Sequence, residues 1–463
     1  MAAAVVRSDS DALSETDTPL TRGVLAVVYA AAEMPLEDCK ALMDGFQAAM
    51  ARGLAGQESD LKMLPSFVTE LPTGKEAGTV YALDLGGTNF RVLRVVLPGD
   101  GGEIKTEFRS FALQQCHMTG CGEADLFPFL ASCIKETVEQ LEGSLPGADE
   151  PLPLGFTFSF PTQQSALNQG TLISWTKGFC ASKCVGCDVV AMLQKALNAL
   201  GVHVVVKALA NDTVGTLMAL RPKEPNTSLG VIFGTGTNGC YVEQMSKIGK
   251  WTGGDVTSGR QCINIEWGNF GASVPSRKLL PVTRHDEALD TESLNKGEQI
   301  LEKMIGGMYI GELVRRVFNA AADAGEIMSG RKERIEAGGL NTELASAIEA
   351  SDAPGLVKIL EQLGVPAPAA SDAKALQKIA MAISGRGARV SACAIAAIVQ
   401  HMERVGTPTV VGIDGSVFKC YTNFKARIEA CMRDIFGDDA LHIKLQLSED
   451  GSGVGAAVIA ATA

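Results

Sequence analysis

Two short glycine-rich stretches carry the residue types that chemistry on phosphate requires. Residues 84–89 read DLGGTN and residues 233–238 read FGTGTN; each sets small glycines before a Thr-Asn pair, between hydrophobic runs. Glycines let consecutive backbone N–H groups turn into one concavity, and the threonine hydroxyl adds a donor, a combination that suits phosphate oxygens. Residues 234–239, GTGTNG, also fit the dinucleotide pattern G-x-G-x-x-G, with Asp255 near the place of a ribose-binding carboxylate. That pattern needs a helix after the glycines to receive the pyrophosphate. The following CYVEQM reads as a second strand, so the order is strand, turn, strand and the dinucleotide reading fails. An ordinary hairpin explains either turn by itself. Two alike, with later Gly-Ser turns in GIDGSV (412–417) and EDGSGVG (449–455), favour phosphate. Asp84, at the end of the first strand, suits a Mg²⁺ held through water, since this ion keeps much of its hydration shell. Neither a G-x-x-x-x-G-K-[ST] P-loop nor a G-x-S-x-G nucleophile elbow occurs.

The elements that position these turns form an α/β pattern. Cys39, Leu42, Met43, Phe46, Met50 and Leu54 predict a helix over 34–54, and Leu126, Phe129, Leu130, Cys133, Ile134, Val138 and Leu141 another over 125–142. TVYALDL, FRVLRVVL, PLGFTFSFP, HVVVKALA, SLGVIF, CYVEQM and CINIEW read as strands, and TVGTLMAL as a helix after Asn211-Asp212. Asp188 is placed to cap the helix VVAMLQKALNAL. From about residue 295 the chain is mostly helical, broken by the strand TPTVVGIDGSV and by EDGSGVGAAVIA, which reads as a Gly-rich turn into a short helix.

Composition narrows the function classes. At 463 residues, 46% hydrophobic and 20% charged, the chain has core enough for two lobes. A net charge of −12 and pI near 5.1 argue against nucleic-acid or anionic-membrane binding, though a local anion site remains open. No unbroken apolar run approaches the roughly 18 residues of a membrane span. The polar N-terminus, with Asp9, Asp11, Glu15 and Asp17, reads as a frayed tail rather than a targeting signal. Twelve scattered cysteines fit reduced thiols in the cytoplasm. Cys180, Cys184 and Cys187 make a C-x3-C-x2-C cluster, with Cys116 and Cys121 elsewhere, but no histidine accompanies them and incidental thiols are the preferred reading.

The chain resembles the eukaryotic-type hexokinases of one catalytic unit, in the hexokinase/glucokinase family, from about residue 60 to the C-terminus. LDLGGTNFRV (83–92), LGFTFSFP (154–161), SWTKGF (174–179), ANDTVGTL (210–217), GTGTN (234–238), INIEWGNFG (263–271) and GIDGSV match that family's motifs in order, as do MLPSFV (63–68), ILEKMIGGMYIGELVR (300–315) and GSGVGAA (451–457). The resemblance implies an actin-like ATPase (ribonuclease H-like) fold with two lobes around a deep cleft. Residues 78–208, completed by 448–463, would form the small lobe and 209–447 the large one, with 1–77 a tail and helical segment on the large lobe. The implied activity is ATP-dependent phosphorylation of a hexose, glucose foremost, at the 6-hydroxyl, the first step of glycolysis. The alternative is a catalytically silent sugar sensor on the same fold. Hexose and Mg-ATP are the implied partners, with no nucleic acid and no membrane span; oligomeric state is not implied.

Carried over residue by residue, the resemblance makes Asp212 the base and Lys177 the cation near the transferring phosphate. Ser159, Phe160, Thr176, Asn211, Asn238, Glu266, Gln299 and Glu302 complete the sugar site. Asp84, Gly86, Gly87, Thr88, Asn89 and Arg91 form the first nucleotide turn, with Asp84 the water-mediated Mg²⁺ residue. Gly234, Thr235 and Gly236 form the second turn, while Thr342, Ser346, Gly415 and Ser416 lie near base, ribose and phosphates. Without the resemblance, Asp212 reads as a helix cap, and Glu302 beside Lys303 as a solvated charge. Met308 departs from the family pattern, which has a basic or polar residue there.

Overall fold

The computed structural model describes residues 23–86, 89–120, 123–175, 179–181 and 183–463. The apolar runs assemble into two mixed sheets. The first contains β1 (Ala77–Leu85), β2 (Asn89–Pro98), β3 (Lys105–Ala112), β4 (Leu152–Phe158) and β5 (Val204–Ala210). The second contains β6 (Thr227–Phe233), β7 (Thr237–Gln244), β8 (Arg260–Asn264), β9 (Thr409–Asp414) and β10 (Ile443–Leu447), with the two-residue strand Leu64–Pro65 added on β8. The order across the first is β3-β2-β1-β4-β5 and across the second β8-β7-β6-β9-β10. Both are three antiparallel strands followed by two parallel ones. One topology therefore occurs twice, and each copy's first hairpin carries one of the two glycine turns. This is the duplicated actin-like arrangement that the resemblance implies.

The fifth strand of each copy leads into a helix, Asp212–Leu220 after β5 and Gly451–Thr462 after β10. These helices pack on each other between the sheets, in a core shared by Val80, Ala82 and Leu93 of the first sheet and Cys240 and Cys262 of the second. Their approach is close enough that a Cβ on Gly455 would stand 1.8 Å from the carbonyl oxygen of Gly215. Thr-Val-Gly (213–215) in one helix answers Gly-Val-Gly (453–455) in the other. The short helix expected after EDGSGVG is present and begins already at Gly451, so the glycines lie in its first turns, where Gly455 admits a neighbouring backbone.

A second core lies on the outer face of the first sheet, beneath helices Glu123–Glu142 and Val189–Ala199. The largest core surrounds helix Ala370–His401, against which Val24–Glu33, Leu36–Leu54 and Phe424–Phe436 pack. By length and hydropathy Ala370–His401 would pass as a membrane span, but 83% of its most apolar window is buried inside the protein. Its Arg386 is buried in a bidentate pair with Asp286, at 2.6 and 2.7 Å. Composition alone does not distinguish such a core helix from a span.

Several predicted elements shift. CINIEW stays a strand only to Asn264, because Glu266 adopts φ 58° and the chain turns into Trp267–Asn269. Strand β3 was not legible as one: it is exposed along most of its length, so pairing with β2 orders it rather than an apolar pattern. The ribbon of Thr162–Ala166 and Gln169–Leu172 escapes the pattern for the same reason. Asp188 does cap its helix, accepting from the Val190 and Ala191 amides.

Candidate active site

The two glycine turns face one cleft. In the second, Phe233 pairs with Thr237 across residues 234–236, and the Gly234 N–H donates to the Gly236 carbonyl at 3.0 Å. Thr237 Oγ1 donates to the Ile232 carbonyl and receives the Trp267 indole N–H, which seats the hairpin on a fully buried ring. Gly415, at φ 113°, lets the end of β9 approach: a Cβ there would meet the Phe233 carbonyl at 2.3 Å. In the first turn Leu85 pairs with Phe90, while Gly87 and Thr88 lie outside the described residues.

Two chambers open along this cleft. The first is lined by Ser159, Asn211, Asp212, Asn238, Glu266, Gln299 and Glu302, together with Gly86, Thr235 and Gly236 of the turns. The second is lined by Asp84, Gly86, Asn89, Arg91, Gly234, Thr235, Gly415 and Ser416, with Asp414 and Ser452. Asp212 lines both, as do Gly86, Ser159, Ile232 and Thr235. Among the described residues it is the sole ionisable group at the junction.

Helix Asp212–Leu220 explains that placement. Its cap is Asn211, whose Oδ1 accepts from the Thr213 amide at 3.0 Å and the Thr213 hydroxyl at 2.7 Å. Asp212 is the first helical residue instead, where its carboxylate lies in the favourable field of the helix N-terminus. Asn211 thus caps the helix, while Asp212 shares the Thr213 amide through Oδ1 at 2.9 Å and still lines the cleft.

The first chamber is built on an amide–carboxylate network. Asn238 Nδ2 donates to Asn264 Oδ1 at 2.9 Å and lies 3.3 Å from both Asn211 Oδ1 and Glu266 Oε1. Its own Oδ1 accepts from the Gly239 and Trp267 amides. Asn264, not singled out in the sequence, donates to Glu266 Oε1 at 2.7 Å. Glu266 and Gln299 both hold left-handed backbone, at φ 58° and 53°, a strain of about 1–2 kcal/mol for a residue with a Cβ. Glu302 is not a solvated charge: Oε2 accepts from the Thr237 amide at 3.0 Å, and a Cβ on Gly236 would stand 2.3 Å from that oxygen. The adjacent Lys303 is buried and bonds Asp290 at 2.6 Å.

Charges in the second chamber are interlocked. Asp84 accepts from Arg91 at 2.8 Å and from Ser452 at 2.9 Å, and Arg91 also bonds Asp450. Burial opposes the charge on Arg91, but Asp84 and Asp450 hold it firmly protonated. Burial pushes the Asp414 carboxyl up to about 6; the Gly415 N–H at 2.6 Å opposes this and the nearby Asp84 adds to it. Asp414 lies inside the GIDGSV motif, yet the sequence drew attention only to the Gly-Ser beside it.

Some expected residues stand elsewhere. Phe160 lines neither chamber, its ring being buried among Phe158, Trp175 and Phe179. Thr342 donates to the Gly307 carbonyl at 2.6 Å, and Ser346 accepts the Thr422 amide at 2.9 Å. Thr342 thereby braces the wall behind the second turn, where Gly307 and Met308 donate to the Gly234 and Thr235 carbonyls. Met308 itself is exposed. Thr176 and Lys177 lie outside the described residues.

Duplicated sheets that each aim a glycine turn at a shared cleft define a two-lobed phosphotransferase of the actin-like class. Two family models, both described as Hexokinase, match residues 25–221 and 228–462. Hexokinase-1 of Spinacia oleracea is 41% identical over 92% of this chain and 88% of its own length. Hexokinase-1 of Arabidopsis thaliana is 41% identical over 95% and 91%, respectively. The structure of a hexokinase from Schistosoma mansoni complexed with glucose superposes with a TM-score of 0.85 at 32% identity, covering 96% of this chain and all of the other. The chain belongs to the hexokinase family.

Proposed function

We propose that the protein transfers the terminal phosphoryl group of Mg-ATP to the 6-hydroxyl of a hexose, glucose foremost, releasing hexose 6-phosphate and ADP. The observation that carries this reading is Asp212, the one ionisable group among the described residues that lines both chambers. A base for an acceptor hydroxyl has to stand between acceptor and phosphate, because phosphoryl transfer is catalysed mainly by in-line positioning and electrostatics. That the Schistosoma relative was solved complexed with glucose supports a hexose as the acceptor.

In this reading Asp212 takes the proton from the attacking hydroxyl. Glu266 and Glu302 accept from sugar hydroxyls, with Gln299, Asn211 and Ser159 offering donors and acceptors. Such paired groups reject an epimer because its hydroxyls would leave buried polar atoms unmatched. Asn238 acts from behind, since both ends of its amide are occupied by the protein. The glycine turns take the phosphates, and Lys177 supplies positive charge to the transferring group. The oxygen-rich set of Asp84 and Asp414 fits a hydrated Mg²⁺, which would neutralise nucleotide charge when bound.

The test is ADP release with Mg-ATP across a panel of hexoses, with Asp212→Ala alongside. The variant is expected to bind hexose and fail to turn over. Turnover near wild type in that variant would overturn the base assignment, and no sugar-dependent ADP from the wild type would favour a silent sensor.

A further inference from the structure

The cysteines that converge in space are not those clustered in the sequence. Cys180 and Cys187 are exposed and Cys184 is buried, whereas Cys39, Cys393 and Cys431, far apart in the chain, bring their sulfurs within 4.8 Å of one another. Each comes from a different helix: Leu36–Leu54, Ala370–His401 and Phe424–Phe436. All three are buried, and none lines either cleft chamber.

A cation stands beside them. Arg389, one turn before Cys393, places Nη2 at 3.8 Å from the Cys39 sulfur and donates from the same atom to the Met34 carbonyl at 2.9 Å. Its Nη1 pairs with Asp434 at 3.1 Å, toward the surface. Its Nε is buried and has no hydrogen-bond partner among the described residues. A guanidinium N–H that reaches the Cys39 sulfur suits thiolate better than neutral thiol.

We propose that Cys39, Cys393 and Cys431 form a three-thiolate site for a divalent thiophilic d¹⁰ ion of the zinc class. Zinc–sulfur bonds of about 2.3 Å in a trigonal set separate the sulfurs by about 4 Å, so the cluster need contract by less than about 1 Å. Charge favours the higher valence: three thiolates and a divalent ion carry one net negative charge and a monovalent ion leaves two, beside an Arg389 that is shared with Asp434. Each S–H bond replaced by an S–metal bond releases its proton to solvent, without any change of oxidation state. Once bound, the ion would tie helix Leu36–Leu54 to the core of the second sheet, and it would stabilise the fold by mass action.

The probe is Cd²⁺, followed by its sulfur-to-metal charge-transfer absorbance, with Zn²⁺ as competitor. The wild type is expected to take up one equivalent with three sulfurs in the X-ray absorption spectrum. Cys393→Ser should weaken uptake at least 100-fold, and Arg389→Met about tenfold by removing the compensating charge. The double variant Cys180→Ser/Cys187→Ser should bind like the wild type. Coordination dominated by oxygen or nitrogen in the wild-type protein, or uptake lost with Cys180 and Cys187 instead, would overturn the site. The absorption measurement needs no variant, so poor folding of Cys393→Ser leaves the test intact.

Discussion

Gly455→Ala is expected to injure catalysis although residue 455 touches neither chamber. The added methyl would stand 1.8 Å from the Gly215 carbonyl oxygen, 2.4 Å from its carbon and 2.5 Å from its Cα. Real Cβ atoms essentially never approach within 3.0 Å, so the gap must widen from 1.8 to at least 3.0 Å, a displacement of about 1.2 Å. The obstacle is backbone on both sides and cannot be relieved by a rotamer. Gly215 is on the helix that begins at Asp212, one turn from that carboxylate. Part of the displacement therefore reaches Asp212, and a misplacement of about 1 Å at a reacting group costs about 100-fold. In free energy that is about 2.7 kcal/mol on the barrier. Overpacking should separately cost about 1–3 kcal/mol of stability.

The assay is kcat from sugar-dependent ADP release, with hexose affinity and Tm measured on the same preparation. A fall in kcat of about 100-fold, a lower Tm and a hexose affinity changed far less are expected, because Glu266 and Glu302 of the first chamber lie on other elements. Gly385→Ala is the control: it is also within a helix, but its Cβ meets nothing within 4 Å. There a methyl should add about 0.4–1 kcal/mol by restricting the unfolded chain, leaving kcat untouched. A Gly455→Ala enzyme with wild-type kcat and Tm would refute the claim that this contact sets the position of Asp212.

Three further outcomes follow from the site and its supports. Gly236→Ala drives Glu302 off the Thr237 amide, and a charge-assisted bond of about 1.5–3 kcal/mol predicts a 10- to 100-fold loss of hexose affinity by titration. Nucleotide affinity should change much less, and an equal loss of both would count against the Glu302 contact. Asn264→Ala removes the donor that orients Glu266 and should raise KM for hexose about tenfold with kcat less affected; unchanged KM would deny it a positioning role. Asp286→Asn leaves Arg386 buried without its charge partner and should cost about 3–5 kcal/mol in urea unfolding at pH 7. Burial opposes ionisation of Asp286, but Arg386 and Thr283 hold its pKa below the ordinary 3.8. Its contribution is therefore full at neutral pH and drains away as pH falls from 3.8 through the lower folded value. The stability gap between wild type and variant should shrink correspondingly in acid, and a gap independent of pH would refute the pairing.

Much of this molecule was legible because the signals were local. Continuous apolar runs marked the buried strands, and the residue after GTGTN settled that a strand, not a helix, follows. What escaped depends on a partner elsewhere in the chain. Strand β3 has no apolar face and exists through its pairing with β2. Asn264 earns its place only through Asn238 and Glu266, and Asp414 only through the end of β6 that Gly415 allows it to approach. The cysteines show the converse: neighbours in sequence suggested a cluster, while the sulfurs that meet are on three separate helices.

Glycine sharpens the point, because an absent side chain says that something is close without saying what. In 234–236 the missing Cβ leaves room for Glu302 and keeps the turn open to the cleft. In 451–455 an equally glycine-rich string leaves room instead for the backbone of Gly215. The duplicated topology relates the two uses. One repeat ends in a helix that begins with Asp212, the other in a helix that carries Ser452 at the matching place, and Ser452 bonds Asp84 at 2.9 Å. The helix crossing therefore links the residue assigned to the acceptor hydroxyl with the carboxylate assigned to the nucleotide side. Glycines at the crossing keep those two groups at a fixed separation, which is why a methyl outside both chambers is expected to act on the rate.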